Sequence, residues 1–235
     1  MSATITVMQN TVRLFGAMLL CLNWTPAMAD ACKDLEATTT PALFSNQRRH
    51  DRQLEATGRI PQPGNSVILI GDSLLHKWRR PPAEYFNFAL GGDRTQSILW
   101  RLQHADERLK NHPFKTIVIL IGTNNIPRNQ PCAVIAGIYE VVKVASGMWP
   151  KAKIVLMSIP NRIDHRANEP ARAEVNEAIR AMASKNRLTF FDTDKVLACG
   201  DPAVCDQYVP DGLHISRAGY KRIKEGLETI ISGRH

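Results

Sequence analysis

Residues 66–74 read Ser-Val-Ile-Leu-Ile-Gly-Asp-Ser-Leu, a continuous apolar run that ends in glycine, aspartate and serine. An apolar, β-branched run of this length is typical of a strand that is buried on both faces, as in a parallel sheet. Glycine permits a tight turn, and Asp72 and Ser73 are residue types that begin helices. The stretch therefore predicts a strand, a sharp turn and a helix that begins at Ser73.

The alternation of strand and helix patterns continues to the C-terminus. Apolar runs that predict strands cover residues 66–70, 85–90, 116–121, 153–158 and 188–191. Segments with helical patterns cover residues 46–57, 73–79, 93–105, 133–148, 171–185 and 216–231. This order predicts an α/β fold with a five-stranded parallel sheet and helices on both of its faces. Since ligands bind beyond the carboxyl ends of such strands, we expect the chemistry just after each apolar run.

Polar residues or glycines follow each of the first three predicted strands. Ser73 follows the first strand, where its hydroxyl can act as a nucleophile at the sheet edge. Gly91 and Gly92 follow the second strand and can expose a backbone amide, and the Asn124 side chain after the third can donate to an oxyanion. Each feature also has a structural interpretation, namely a helix cap at residues 72–73, a capping box at residues 93 and 96, and an Asn-rich turn.

Asp211 and His214 lie three residues apart, just before the last predicted helix. This spacing can bring both side chains to the same side of one turn. His214 would accept the proton of Ser73, and Asp211 would fix the histidine tautomer and stabilise the imidazolium. A purely structural histidine is the alternative, and the six other histidines have no comparable context. We expect Asp72 to support the turn rather than to act chemically.

The four positions Ser73, Gly92, Asn124 and His214 match, in order, the marker blocks of the SGNH (GDSL) hydrolase family. Residues 87–102, Asn-Phe-Ala-Leu-Gly-Gly-Asp-Arg-Thr-Gln-Ser-Ile-Leu-Trp-Arg-Leu, resemble the branch that contains the catalytic subunits of platelet-activating-factor acetylhydrolase Ib. The resemblance covers roughly residues 46–232. The Gly-x-Ser-x-Gly elbow of α/β-hydrolases is absent from the sequence, which disfavours that fold.

The resemblance implies a single flavodoxin-like three-layer α/β/α sandwich. It also implies ester hydrolysis that needs neither a metal nor another cofactor. The implied oxyanion hole consists of the Ser73 amide, the Gly92 amide and the Asn124 side chain.

The first 29 residues differ from the rest of the chain. They contain no acidic residue, and Arg13 precedes an apolar run over residues 14–22 and the sequence Ala27-Met28-Ala29. This pattern is typical of a secretory signal peptide that is cleaved after Ala29, and the run is shorter than the ~20 residues that span a bilayer. The alternative is a buried N-terminal helix. The predicted organisation is a signal peptide over 1–29, an irregular lead-in over 30–45 and a hydrolase domain over 46–235, in a periplasmic or secreted protein.

Cleavage at this point changes the meaning of the cysteines. It would remove Cys21 and leave Cys32, Cys132, Cys199 and Cys205, an even set in an oxidising compartment. Cys199 and Cys205 bracket a short loop that contains Gly-Asp-Pro, so we favour that disulfide, which leaves Cys32 to pair with Cys132. A zinc site is the alternative but lacks a Cys-x-x-Cys pair. Free buried thiols are the remaining alternative.

The formal net charge of +8 is spread along the chain rather than concentrated in one block. A basic excess favours peripheral contact with an anionic envelope surface. The alternative is a solvated basic surface without a specific partner. No recognition motif for nucleic acid accompanies the charge, which excludes that class of partner from the prediction.

The predicted function is that of an exported serine esterase. The expected substrate is a small-molecule or carbohydrate ester of the envelope with a short acyl group, acetyl above all, because no long apolar insertion could line a lipid tunnel. A lysophospholipase or thioesterase and an O-acetyltransferase that uses the same residues are the alternatives. A catalytically inactive binding module is a further one, and the intact Ser/Gly/Asn/His set argues against it.

Overall fold

Five parallel strands form one sheet in the computed structural model, which describes residues 32–162, 164–186, 188–199 and 205–233. The strands are β1 (Val67–Gly71), β2 (Tyr85–Asn87), β3 (Thr116–Leu120), β4 (Lys153–Met157) and β5 (Thr189–Phe191). Their order, β2-β1-β3-β4-β5, is the flavodoxin-like order. The predicted fold class is therefore confirmed. The predicted signal peptide lies outside the described residues.

The register of the central strands determines where the site residues meet. All five residues of β1 pair with β3, from Val67 opposite Thr116 to Gly71 opposite Leu120. Both strands are buried along their whole length, which explains why their sequences are continuously apolar. Because the two strands end level with each other, the residues that follow them emerge at the same edge of the sheet.

Helices connect the strands. They are α1 (Leu35–Thr39), α2 (Gln47–Thr57), α3 (Ser73–His76), α4 (Thr95–Gln103), α5 (Glu107–Lys110), α6 (Pro131–Met148), α7 (Glu169–Lys185), α8 (Thr193–Val196) and α9 (Arg217–Ser232). The sequence predicted the longer helices to within a few residues. The patterns did not predict the short helices α1, α5 and α8.

The core lies in two layers, one on each face of the sheet. Alternate residues of β1 point to opposite faces, so Ile68 belongs to one layer and Leu69 to the other. Helices α4, α6 and α7 bury their apolar residues in the first layer. Helices α3 and α9 pack in the second layer, where Ile223 and Leu227 are completely buried. The sheet is thus covered on both faces, as the alternating pattern predicted.

Helix α6 has the length and the apolar composition to cross a membrane, the one such helix in the described part of the chain. Its residues Val134, Ile138 and Val141 are completely buried against the sheet. The apolar composition of α6 is therefore explained by its packing in the core.

The lead-in that was expected to be irregular contains helix α1. Thr38 in this helix is completely buried, and its hydroxyl lies 2.6 Å from the Ala133 carbonyl oxygen, to which it donates. The Thr95 hydroxyl in turn donates to the Thr38 carbonyl at 2.8 Å. These contacts are with residues far along the chain, so the threonine-rich sequence gave no local signal for the helix.

Two disulfide bonds join the cysteines of the described residues, Cys32–Cys132 and Cys199–Cys205, and this is the pairing predicted from the sequence. The first joins the start of the lead-in to the first turn of α6. The second joins two cysteines that are six residues apart in the sequence, one shortly after α8 and one in the segment that leads to Asp211.

Candidate active site

Ser73 lies where β1 turns into α3. The Asp72 carboxylate accepts a hydrogen bond from the Leu74 amide at 2.9 Å and so caps the helix. A side chain at Gly71 would collide with the Leu120 carbonyl oxygen, so only glycine fits where β1 passes β3. As the first residue of α3, Ser73 has a backbone amide without an acceptor within the helix.

The structure brings Ser73, His214 and Asp211 together in one hydrogen-bonded chain. The Ser73 Oγ lies 3.0 Å from His214 Nε2, and His214 Nδ1 lies 2.5 Å from Asp211 Oδ2. The other carboxylate oxygen, Oδ1, accepts the backbone amides of Leu213 at 3.0 Å and His214 at 2.8 Å. The spacing of three residues therefore places the carboxylate and the imidazole of one turn in direct contact.

Asp211 is held in its charged form. Burial acts to raise its pKa, but the hydrogen bonds from the His214 backbone and ring and from the Leu213 amide outweigh burial and lower the pKa to about 2. An ionised Asp211 accepts the Nδ1 proton of a neutral His214, which leaves Nε2 with a lone pair toward Ser73. This tautomer is the one in which histidine can act as a base for the serine hydroxyl.

Asn124 and Gly92 lie at the same sheet edge as Ser73. The Asn124 side-chain amide donates to the Asp93 carbonyl oxygen at 2.9 Å, which uses one of its two hydrogens. Gly92 has a φ of 90°, a conformation that side chains disfavour. A Cβ placed on the preceding Gly91 would lie 3.8 Å from the Ser73 Cβ, so this loop passes beside the serine. Gly92 and Asn124 are therefore the candidate oxyanion donors at this edge.

Asn125, by contrast, has a structural place. It is completely buried, and its side-chain oxygen Oδ1 accepts a hydrogen bond from the Thr95 backbone amide at 3.1 Å. Its amide donates to Gln96 and Asn129, both at 3.2 Å. Asn125 thus joins the loop after β3 to the start of α4, whereas the Asn124 side chain donates to the Asp93 carbonyl oxygen next to Gly92.

A buried ion pair supports the loop that carries Gly92. Asp93 and Arg101 are both completely buried and their charged groups lie 2.5 Å apart. Arg101 also donates to the Phe88 carbonyl oxygen and lies over the Phe88 ring. Burial raises the pKa of Asp93 to about 6, although the Arg101 guanidinium opposes this rise.

The capping box that was the alternative interpretation of Asp93 and Gln96 is not formed. The residue that precedes α4 is Arg94, and no side chain caps this helix. Asp93 pairs with Arg101 instead, because its carboxylate is enclosed by protein and a buried charge needs a partner of opposite charge. Sequence reasoning missed Arg101, and the only signal was a charged residue flanked by Ile98, Leu99 and Leu102.

Asp72 is the second buried carboxylate of the site. Burial raises its pKa to about 7, against the hydrogen bond from the Leu74 amide. Its Oδ2 atom has no hydrogen-bond partner among the residues described. Asp72 therefore acts as a helix cap, the role expected for it, and is a poor candidate for chemistry.

A cavity of about 640 Å³ adjoins the turn that carries Asp211 and His214. Its wall includes Gly212 of that turn, the polar residues Arg162 and Arg172, and the apolar residues Leu197 and Val209. Ser73 does not line it. The cavity is thus a neighbour of the serine site at the β4–β5 side of the sheet.

No group of three or more His, Cys, Asp or Glu side chains with the spacing of a metal site occurs in the part of the chain that the structure describes. The four cysteines of the described residues are joined in disulfides, so their sulfur atoms are not available as ligands.

The sequence matches one protein-family model and resembles known proteins. The model of the GDSL-like lipase/acylhydrolase family matches residues 69–222. The alpha1 subunit of platelet-activating factor acetylhydrolase IB from Rattus norvegicus is 33% identical over 177 residues, which cover 70% of this chain and 74% of that protein.

Two solved structures show the same fold. A GDSL-like lipase from Bacteroides thetaiotaomicron superimposes with a TM-score of 0.63 at 18% identity, over 80% of this chain and 98% of that one. A variant of an acetyl-xylooligosaccharide esterase from Geobacillus gives a TM-score of 0.55 at 19% identity, over 72% and 94% of the two chains. With the family match and the 33% identity, these findings establish that the chain belongs to the GDSL-like lipase/acylhydrolase family and is an ester hydrolase.

Proposed function

We propose that the protein is an exported esterase that uses Ser73 as its nucleophile, His214 as its base and Asp211 to orient the base. The observation that carries this proposal is the hydrogen-bonded chain from Ser73 Oγ through the His214 ring to Asp211, with contacts of 3.0 and 2.5 Å. Serine, histidine and carboxylate in this order form a catalytic arrangement that is recognised by its geometry.

In the proposed reaction, Ser73 Oγ attacks the ester carbonyl carbon and its proton passes to His214 Nε2. The carbonyl oxygen becomes an anion that accepts hydrogen bonds from the Ser73 amide, the Gly92 amide and the Asn124 side chain. The bond from carbon to the alcohol oxygen then breaks, and His214 protonates the departing alcohol. Water that gives its proton to His214 hydrolyses the acyl group from Ser73 and restores the enzyme.

The proposed substrate is an ester with a short acyl group, in particular an acetyl ester of an envelope carbohydrate or a small alcohol. The name of the rat relative describes an acetylhydrolase, and that of the Geobacillus protein describes an acetyl ester of an oligosaccharide. Both names support a small acyl group, although the second protein shares only the fold.

Export is supported by two observations. Two disulfide bonds occur among the described residues, and such bonds persist in oxidising compartments. The sequence pattern of residues 1–29 is that of a cleaved signal peptide. We infer a periplasmic or secreted protein. Mass spectrometry of the secreted material should give an N-terminus at Asp30, and an intact N-terminus would count against export.

A lysophospholipase or thioesterase is the second candidate function. The observation in its favour is the cavity of about 640 Å³ beside the Asp211–His214 turn, because its apolar residues Leu197 and Val209 could contact a longer acyl chain.

Hydrolysis of p-nitrophenyl esters of graded chain length, with Ser73→Ala as the control, tests the proposal. We expect the highest kcat/KM for acetate and nearly complete loss in Ser73→Ala. A maximum at long acyl chains would favour the second candidate. Transfer of acetyl to an added sugar faster than to water would identify an acetyltransferase instead.

A further inference from the structure

Arginine side chains gather beside the loop that carries Gly92. Arg49 and Arg94 both lie over the Phe44 ring, with their guanidinium carbons 5.4 and 5.8 Å from its centroid. Arg52 donates a hydrogen bond of 3.2 Å to the Gly91 carbonyl oxygen. Residues from α2 and from the start of α4 thus bring positive charge to one place at the sheet edge.

Arg128, in the turn after Asn124, belongs to the same group. Burial and the charges of Arg128 and Arg49 lower the pKa of Arg94, so both of these charges act on Arg94. We call Arg49, Arg94 and Arg128 the arginine cluster. Guanidinium groups stay protonated in proteins, so the repulsion cannot be relieved by loss of a proton.

The arginine cluster has no carboxylate partner. Within the described ranges, no Asp or Glu forms an ion pair with any of its three members. Two arginines in the wall of the cavity beside the Asp211–His214 turn do have carboxylate partners. Arg162 pairs with Asp164 at 2.5 Å, and Arg172 pairs with Asp194 at 2.7 Å. An unpaired group of like charges costs stability, and a bound anion would remove that cost.

Arg94 is the member of the cluster that follows the loop beside Ser73. The Gly91 backbone passes beside the Ser73 side chain, and Arg94 follows Gly91 by three residues. Since successive Cα atoms are ~3.8 Å apart, the Cα atoms of these two residues are at most ~11 Å apart. An ester bound at Ser73 could therefore extend a charged group to the cluster.

We propose that Arg49, Arg94 and Arg128 form a binding site for an anionic group, a carboxylate or a phosphate, on the ester that Ser73 cleaves. The proposal rests on the proposed function and adds a class of substrate to it. The planar guanidinium forms paired hydrogen bonds with both of these anions, which makes arginine the favoured residue for binding them.

Three acetyl esters with the same phenyl ring test the preference. They are 4-acetoxybenzoate, 4-acetoxyphenyl phosphate and the neutral 4-acetoxybenzamide. We expect wild-type kcat/KM to be higher for at least one anionic ester than for the amide, and to approach the neutral value as sodium chloride is added. The anion with the larger preference identifies the group that the site takes. Equal kcat/KM for all three esters would overturn the proposal.

Variants that remove charge test whether the arginine cluster causes the preference for anionic esters. In Arg94→Gln/Arg128→Gln, the ratio of kcat/KM for the anionic ester to that for the amide should fall on the order of tenfold. Arg128→Gln alone, an exposed loop variant, should show part of the fall if the double variant folds poorly. The matched control is Arg222→Gln, on the exposed face of α9 across the sheet, which should leave the ratio as in the wild type. An equal fall in the control would contradict a local site.

A binding measurement separates this proposal from the proposed function. Calorimetry with phenyl phosphate on Ser73→Ala needs no turnover. Binding that is lost in Ser73→Ala/Arg94→Gln/Arg128→Gln and kept in Ser73→Ala/Arg222→Gln supports the anion site even if no ester is hydrolysed. Absence of binding to Ser73→Ala, together with ester hydrolysis by the wild type without charge preference, overturns the anion site and leaves the proposed function intact.

Discussion

The two halves of the proposed catalytic machinery are built in different ways. The half that carries Ser73, Gly92 and Asn124 lies on the ends of three strands, and the residues that support it, such as Asp93 and Asn125, are completely buried. The half that carries the base lies on an exposed turn, where the Asp211 side chain is 45% exposed and that of His214 is 16% exposed.

The hydrogen bonds that position the two halves differ in sequence range. Asn124 is held by the Asp93 carbonyl, 31 residues earlier. Asp211 is held by the backbone of Leu213 and His214, and the turn is closed by the Val209 amide, which donates to the His214 carbonyl at 2.9 Å. Substitutions of the buried residues that support the first half should therefore lower stability, whereas substitutions in the second half should affect activity alone.

Asp211→Asn should have the largest effect on the exposed half. Asparagine would favour the wrong histidine tautomer, and we expect kcat to fall on the order of 10⁴-fold. The melting temperature should stay close to that of the wild type, because the side chain is nearly half exposed and the asparagine oxygen can still accept the Leu213 and His214 amides. A large loss of stability with kcat preserved would reverse the comparison.

Arg101→Met should have the largest effect on the buried half. It would leave the Asp93 carboxylate buried without a partner, which costs about 3–5 kcal/mol of unfolding free energy. Denaturant unfolding measures the change. The control is Lys143→Met, which breaks an exposed pair with Glu140 on α6 and should cost less than ~1 kcal/mol. Equal losses of unfolding free energy in the two variants would show that burial does not increase the contribution of the Asp93–Arg101 pair to stability.

The sequence was informative where structure is local. Continuous apolar runs predicted all five strands, and residues directly after them predicted the places of Ser73 and Asn124. The turn of Asp211 and His214 could be predicted because the hydrogen bonds that form it lie within residues 209–214. The patterns missed contacts between distant segments, such as the Asp93–Arg101 pair and the Thr38 hydrogen bonds that hold α1. The arginine cluster was likewise hidden, since its members come from three separate segments.

Asn124→Ala should lower kcat by ~10²–10³-fold, equivalent to about 2.7–4 kcal/mol of transition-state stabilisation. KM should change little, because the hydrogen bond strengthens when the carbonyl oxygen becomes an anion. Steady-state kinetics measure both constants. A raised KM with unchanged kcat would make Asn124 a substrate-binding residue.

Asn125→Ala is the matched comparison for Asn124→Ala. It removes hydrogen bonds of a fully buried side chain and leaves the Thr95 amide without its acceptor. The loss should therefore be in unfolding free energy, on the order of 1–3 kcal/mol, more than in kcat of the folded enzyme.

Asp72→Asn should give a smaller effect that depends on pH. The pKa of Asp72 is about 7 in the folded protein, above the ordinary value of 3.8. Between these two pH values the folded protein keeps the Asp72 proton, whereas the unfolded chain releases it. Asp72 therefore makes the protein less stable as pH rises from about 4 through 7. Asparagine keeps the cap to the Leu74 amide and cannot ionise, so the variant should gain stability relative to the wild type at about pH 8 and not at about pH 4. An equal change at both values would mean that Asp72 is not protonated in the folded state.

The identity of the nucleophile can be tested directly by covalent labelling. A fluorophosphonate reacts with a serine hydroxyl that a neighbouring base activates, and intact-mass and peptide analysis then locate the adduct. The Ser73–His214 contact of 3.0 Å predicts a single adduct on Ser73, no adduct in Ser73→Ala, and much slower labelling in His214→Ala. Labelling of another residue, or ester hydrolysis that persists in Ser73→Ala, would contradict Ser73 as the nucleophile.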